Sequence, residues 1–219
     1  MNRLSARRRF LQGGAAALAL PLVRLAPAAG RVEEGVYRVR GEAWLNGVPL
    51  QPGMRVRPGD AIRTGAASEL VYVIGRDAML VRAAAELELA GERDALAASG
   101  LRILTGAVLS VFAPGERRRI QTHTATIGIR GTGIYVEAYD ARTYVCTCYG
   151  VVDIAPLDDP ARAETVRTQH HEAPRFVLAR GALVHAPVIN HSDAELTLLE
   201  SLVGRKPPFV TSGYRPGAY

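Results

Sequence analysis

The sequence predicts an all-β fold: a single domain of many short strands, arranged as a sandwich or a solenoid-like stack, with one helix near the C-terminus. Apolar residues make up 48% of the 219 positions, which is enough for a substantial core. The 22 glycines and 13 prolines fall between short β-prone segments, so turns recur about every ten residues. This spacing is typical of sandwiches and barrels.

The first 29 residues have the three parts of an export signal. A basic segment is followed by a weakly apolar run at 13–23 and a small-residue stretch at 26–29, which suits a signal peptidase. The basic segment resembles a twin-arginine signal, and the residues that carry this resemblance are Arg7, Arg8, Phe10 and Leu11. A general secretory signal is the alternative. Twin-arginine export carries folded cargo, so we expect a periplasmic protein.

The charge of the chain is concentrated in this leader. The formal net charge is +6, yet five arginines and no acidic residue precede residue 30. Without them, 22 basic residues face 21 acidic ones. The remaining chain is nearly neutral, so the sequence gives no support for a nucleic-acid partner. The apolar run of the leader is also shorter than the roughly 20 residues that span a bilayer, and no later segment is longer. We therefore expect no transmembrane segment in the mature chain.

Strand-like segments and turn signals alternate from residue 32 to residue 154. Asn46-Gly47 predicts a two-residue type I′ hairpin turn. Residues 75–77 predict a second tight reversal, between segments 70–74 and 79–81. Residues 117–129 form one long β-prone run, and residues 142–154 close the series. Three consecutive arginines at 117–119 follow a Pro-Gly turn and predict a solvated hairpin tip, with a phosphate site as the alternative.

The character of the sequence changes after residue 155. Residues 156–164 are loop-like, and 175–178 and 182–185 are short strand candidates. Ser192 and Glu195 form a capping box that predicts a helix over about 193–203. We therefore divide the chain into a signal peptide at 1–29, a β domain at 30–155, and a C-terminal extension at 156–219 that ends in an irregular tail.

Three ordered motifs give residues 41–154 a resemblance to the FecR domain family. They are GDAIRTGAAS at 59–68, GAV at 106–108 and ATIGIRGT at 125–132. The resemblance implies a periplasmic all-β sensing or scaffolding domain. In the best-known members this domain follows a transmembrane helix and a cytoplasmic segment that contacts a sigma factor. Here a leader stands in that place, so we expect a freestanding FecR-like module with a protein or small-molecule partner.

Two cysteines, Cys146 and Cys148, lie in the last strand-like segment. Residues at i and i+2 of a strand share a face about 6.6 Å apart, which is too far for a disulfide without a bulge. Two such sulfurs can ligate one zinc or copper ion, and His170 and His171 are the favoured additional ligands. His123, His185 and His191 are also available.

Two alternatives to a metal site stay open at this stage. The pattern at positions 144, 146, 148, 152 and 154 alternates onto one face, so the cysteines could fill the core. A redox or intermolecular disulfide role is the other alternative. The adjacent histidines at 170 and 171 could equally be solvated surface residues.

Catalytic motifs are missing from the sequence. It contains no Gly-rich phosphate loop, no Gly-x-Ser-x-Gly elbow and no His-Glu-x-x-His motif. We therefore expect a binding or regulatory module and not an enzyme. The first hypothesis is a FecR-like module that acts through protein or small-ligand contacts. The second is a periplasmic metal-binding protein that is loaded before folded export.

Overall fold

The computed structural model of the chain describes residues 33–93, 95 and 98–211; the predicted leader and its arginine motif lie outside these residues. Fifteen strands lie within the described residues. They are β1 (Gly35–Arg40), β2 (Ala43–Leu45), β3 (Val48–Pro49), β4 (Ala61–Thr64), β5 (Glu69–Ile74), β6 (Asp77–Val81), β7 (Glu86–Ala90), β8 (Gly100–Val111), β9 (Arg117–Gln121), β10 (Ala125–Arg130), β11 (Gly133–Tyr139), β12 (Arg142–Pro156), β13 (Glu164–Thr168), β14 (Arg175–Leu178) and β15 (Leu183–His185).

Helices are few in the described chain. A single 3₁₀ turn, Pro160–Arg162, precedes β13, and two α-helices follow β15: α1 (Asp193–Leu202) and the four-residue α2 (Pro208–Thr211). The predicted capping box is present at the start of α1, where Ser192 and Glu195 exchange side-chain to backbone hydrogen bonds. None of the helices in the described residues is long and apolar enough to cross a membrane.

The strands form two sheets that share β8 and β12. The first sheet has the order β1-β5-β6-β8-β11-β12-β14-β15. The second has the order β3-β2-β4-β7-β8-β9-β10-β12-β13. All neighbours are antiparallel except β8 and β9. The predicted all-β single domain is confirmed, and its two layers form a sandwich.

Glycines mark the points where the shared strands pass from one sheet to the other. Gly106 of β8 has φ +82° and Gly150 of β12 has φ +96°, values that favour a residue without a side chain. A Cβ at Gly150 would lie 2.8 Å from the carbonyl oxygen of Gly131. The bend in β12 therefore requires glycine. Glycine is common where a strand turns the corner from one sheet to the other.

Alternation along the strands produces two apolar clusters. The inner cluster lies between the sheets and includes Ile62 and Ile127 from the second sheet and Val136 from the first. The outer cluster lies on the other face of the first sheet, where Leu196 and Leu199 of α1 cover it. Each such buried side chain contributes about 1.5–3 kcal/mol to the hydrophobic term, so the outer cluster holds α1 on the sheet.

The expected single run at 117–129 is wrong, because the chain reverses at residues 122–124 to give β9 and β10. The turn contains neither glycine nor proline. Instead, the hydroxyl of Thr122 accepts a hydrogen bond from the backbone N–H of Ala125 at 3.1 Å. Thr122 and Thr124 also hydrogen bond to the buried hydroxyl of Thr143. Threonine side chains thus supply the turn, which explains the missing turn signal.

The expected common face of residues 144–154 is also wrong. Tyr144 and both cysteines face the outer cluster, whereas Val152 and Ile154 face the inner one. The alternation breaks where the pairing with β11 shifts by one residue, because the adjacent residues Cys148 and Tyr149 both face the outer cluster. Beyond that point the even-numbered positions face the inner cluster.

Candidate metal centre

The two cysteines lie in the first half of β12, at a β-bulge. Gly133 of β11 pairs with Tyr149, and the next residue, Ile134, pairs with Thr147. Cys148 is therefore the extra residue of the bulge. Both cysteines are free and fully buried, and both side chains belong to the outer cluster, as the i, i+2 spacing predicts.

His171 is brought to the cysteines by the loop after β13. Its backbone has φ +57°, and its N–H donates to the carbonyl oxygen of Cys148 at 3.0 Å. His170 and His171 are 1% and 5% exposed, so the interpretation of this pair as solvated surface residues is wrong. The loop folds inward against β12, and the hydrogen bond to Cys148 fixes its position.

His191 approaches the same point from the segment that precedes α1. Its ring stacks on Tyr135 with 4.6 Å between centroids. Its Nε2 lies 3.1 Å from Nδ1 of His171, which in turn lies 3.4 Å from Sγ of Cys146. One donor atom from each of Cys146, Cys148, His171 and His191 lies within 4.8 Å of every other. Two sulfurs and two imidazole nitrogens thus converge.

These separations fit a tetrahedral ion. Zinc bonds of about 2.0–2.1 Å to nitrogen and about 2.3 Å to sulfur place two nitrogens about 3.3 Å apart, and a nitrogen and a sulfur about 3.6 Å apart. The observed distances are 3.1 Å and 3.4 Å. Two thiolates and two imidazoles are a ligand set for Zn²⁺ or Cu⁺.

In each of these two histidines, one ring nitrogen faces the other donor atoms and the second, which we call the outer nitrogen, contacts another group. Nδ1 of His191 lies 2.6 Å from the carbonyl oxygen of Ile189, which can only accept, so this nitrogen donates. Nε2 of His171 lies 3.1 Å from a carboxylate oxygen of Asp193. In the neutral rings the inner nitrogens, Nε2 of His191 and Nδ1 of His171, then carry lone pairs that face each other. Such partners on the outer nitrogens are usual for metal-ligating histidines.

The pKa of one of the two cysteines is shifted in the direction that favours the thiolate. The pKa of Cys146 is well below its usual value, chiefly through the hydrogen bond from Cys148 and also through His171, which together outweigh burial. Burial raises the pKa of Cys148 well above its usual value. The pKa of His171 is also raised, because its contacts with Cys146 and Asp193 outweigh the effect of burial.

His170 lies beside the four-donor cluster without belonging to it. Its Nε2 is 2.8 Å and 2.9 Å from the two carboxylate oxygens of Asp193, which it shares with His171. His170, His171 and Asp193 form a second group with donor atoms within 4.8 Å. His170 therefore helps to position the carboxylate that orients His171.

The remaining histidines lie elsewhere. His123 is exposed in the turn between β9 and β10, and His185 on β15 contacts Arg175. Sequence reasoning named His191 only as one of several available ligands. Asp193 is not a candidate ligand from the sequence, because it occupies the first helical position after the capping serine and fits the start of a helix.

No protein-family model matches the chain, and no curated protein matches it. Among solved structures, a crystal structure at 1.65 Å resolution of a candidate anti-sigma factor from Parabacteroides distasonis ATCC 8503 superimposes with a TM-score of 0.47 at 14% identity. A second crystal structure under the same description, at 2.50 Å, gives a TM-score of 0.46 at 14% identity. In each case the alignment covers 73% of this chain and 66% of the other, so the chain spans just under two thirds of their length. A likeness at this level carries no inference about partners.

Proposed function

We propose that the chain is a periplasmic FecR-like binding module that holds one Zn²⁺ or Cu⁺ ion in the outer cluster of its β-sandwich. The ligands are Cys146, Cys148, His171 and His191. One observation carries the proposal: the inner nitrogens of the two histidines lie 3.1 Å apart while their outer nitrogens contact acceptors. Two facing lone pairs repel unless a proton or a metal ion lies between them, and the two buried sulfurs within 4.8 Å of the same nitrogens favour the metal ion.

The alternative of cysteines as core filler accounts for less of this arrangement. Buried cysteine packs as a small apolar residue and needs no polar partner. Here His171 and His191 are brought to Cys146 from segments 25 and 45 positions further along the chain. Burying imidazole groups costs free energy unless they gain bonds, and a shared metal ion would provide them.

Four protein ligands also favour binding over catalysis. A catalytic zinc ion keeps one coordination position for water or substrate, whereas a closed four-ligand set is typical of structural sites. The proposal is therefore a non-catalytic module, with the metal ion as part of its folded form. The twin-arginine leader would suit such a protein, because that route exports cargo that has folded and been loaded in the cytoplasm.

Metal content of the purified, exported protein tests the proposal. Elemental analysis compares wild type with the Cys146→Ser/Cys148→Ser double variant and with His123→Gln, which removes an exposed histidine that is not part of the cluster. About one metal ion per chain is expected in wild type and His123→Gln, and none in the double variant. The proposal is wrong if wild-type protein stays metal-free after incubation with Zn²⁺ or Cu⁺ under reducing conditions. The cysteines would then be residues of the apolar core.

The same preparation tests export and the third interpretation of the cysteines. The N-terminus of the mature protein, determined by mass spectrometry, should lie near residue 30 if the leader is cleaved as predicted. Thiol alkylation before and after reduction separates free thiols from a disulfide. A disulfide in protein isolated from the periplasm would favour the redox role over the metal site.

A further inference from the structure

The solvent face of the second sheet carries a depression that the metal site does not explain. It lies where β8, β9, β10 and β12 run side by side, and its volume is about 570 Å³. Its lining includes four exposed arginines, Arg102, Arg117, Arg119 and Arg130. We call this depression the arginine groove. The metal-ligand cluster lies on the outer face of the other sheet, so the two sites are separate.

Strand alternation explains how the arginines gather. In β9 the side chains of Arg117 and Arg119 point to solvent, while Arg118 between them turns inward and is 8% exposed. The expectation of a uniformly solvated tip is thus wrong for Arg118, which pairs with the buried Asp77 at 2.9 Å. Arg130 of β10 stands directly opposite Arg117 in the antiparallel register.

Positive charge in the groove exceeds negative charge. Arg130 pairs with Asp153 at 2.8 Å, and Arg102 pairs with Glu88 at 3.6 Å. Within the described residues, Arg117 and Arg119 form no ion pair, and the one carboxylate in the lining, that of Asp153, interacts electrostatically with both Arg130 and Arg117. Like charges directly opposite each other on neighbouring strands are destabilising. A bound anion would remove this repulsion.

The floor of the groove is open at Gly128 of β10, which lies opposite Arg119 of β9. This glycine is not among those with positive φ. A Cβ placed there would make only ordinary contacts, the nearest 3.7 Å from Cβ of Asp153. Backbone conformation and packing therefore do not demand glycine here. A glycine within a strand often marks close approach of a ligand, and its missing side chain leaves room for one.

We propose that the arginine groove binds a multiply charged oxyanion of the phosphate type. Guanidinium groups present planar forks of N–H donors that match phosphate oxygens, and several forks around one depression select for more than one negative charge. Arg117, Arg119 and Arg130 would supply the donors above the floor at Gly128. The same chemistry is offered by free phosphate compounds and by phosphorylated lipid head groups.

Calorimetric titration of the exported protein with pyrophosphate at low ionic strength tests this site. The Arg117→Gln/Arg119→Gln double variant is compared with Arg40→Gln/Arg162→Gln, which removes the same charge from two exposed positions outside the groove. The first variant should weaken binding by at least about tenfold, as expected when charge-assisted hydrogen bonds are lost. The control should stay within about twofold of wild type. Both double variants retain the metal ligands. Any heat from chelation of the bound metal ion by pyrophosphate would therefore appear equally in the two titrations.

A second variant keeps every arginine and fills the floor. Gly128→Val should weaken pyrophosphate binding to a similar extent while the thermal unfolding midpoint stays close to that of wild type. Sedimentation with vesicles that contain phosphatidic acid separates the two sources: binding to vesicles and pyrophosphate indicates a lipid head group, and binding to pyrophosphate alone indicates a free compound. Absence of pyrophosphate binding, or an equal loss in the two double variants, would overturn the proposal.

Discussion

Metal binding should raise the thermal stability of the protein by an amount that follows from where the ligands lie. Cys146 and Cys148 belong to β12, His171 to the loop after β13, and His191 to the segment before α1. In the unfolded chain these segments are apart, so the four ligands converge on one ion only in the folded form. Its binding free energy is then added to the free energy of unfolding.

The magnitude depends on the free metal concentration. At a concentration about 1,000 times the Kd, the stabilisation is about 4.1 kcal/mol. For a chain of this length, each kcal/mol moves Tm by about 2–4 °C, so Tm should rise by roughly 8–16 °C. Every further tenfold increase in free metal should add about 1.4 kcal/mol. Both effects should vanish in the Cys146→Ser/Cys148→Ser variant.

The assay is thermal unfolding followed by circular dichroism in buffers that fix the free Zn²⁺ concentration over several decades. Wild type should give a Tm that rises steadily with the logarithm of free Zn²⁺, and the double variant a flat line. A wild-type Tm that is the same in chelator and in Zn²⁺ would refute the reasoning. Equal shifts in both proteins would refute it too, because they would place the bound metal outside this cluster.

Three further predictions concern side chains around the sites and the bend of β12. Asp193→Asn should weaken metal affinity by about 10–100-fold, measured by competition with a chromophoric chelator, and an unchanged affinity would show that the carboxylate does not orient His171. Replacing Arg118 by Gln leaves the buried carboxylate of Asp77 with the backbone N–H of Ala113 but without its ion-pair partner, and it should lower the free energy of unfolding in urea by about 3–5 kcal/mol. A loss below about 1 kcal/mol would mean that water reaches the carboxylate. Gly150→Ala should cost about 2–4 kcal/mol through its positive φ and a backbone contact at 2.8 Å. Gly53→Ala, at φ +86° with open space around it, is the control and should cost less.

Local features of the fold follow from the sequence because short-range chemistry decides them. Asn46 and Gly47 have φ values of +51° and +83°, as the predicted type I′ turn requires. The capping box at Ser192 sets the start of α1. Each depends on contacts within a few residues, which the chain makes whatever the rest of the fold does. Strand alternation likewise places both cysteines on one face.

Only the tertiary structure decided which histidines join the cysteines. His171 and His191 reach Cys146 across 25 and 45 positions, whereas the sequence favours His170 and His171 among its five histidines. The choice depends on the inward fold of the loop after β13 and on the packing of α1 against the outer cluster. The change of face within β12 is similar, because the one-residue shift that produces it arises in the pairing with β11. Residue types and local spacing therefore set the elements and the possible ligands, and long-range packing set which of them meet.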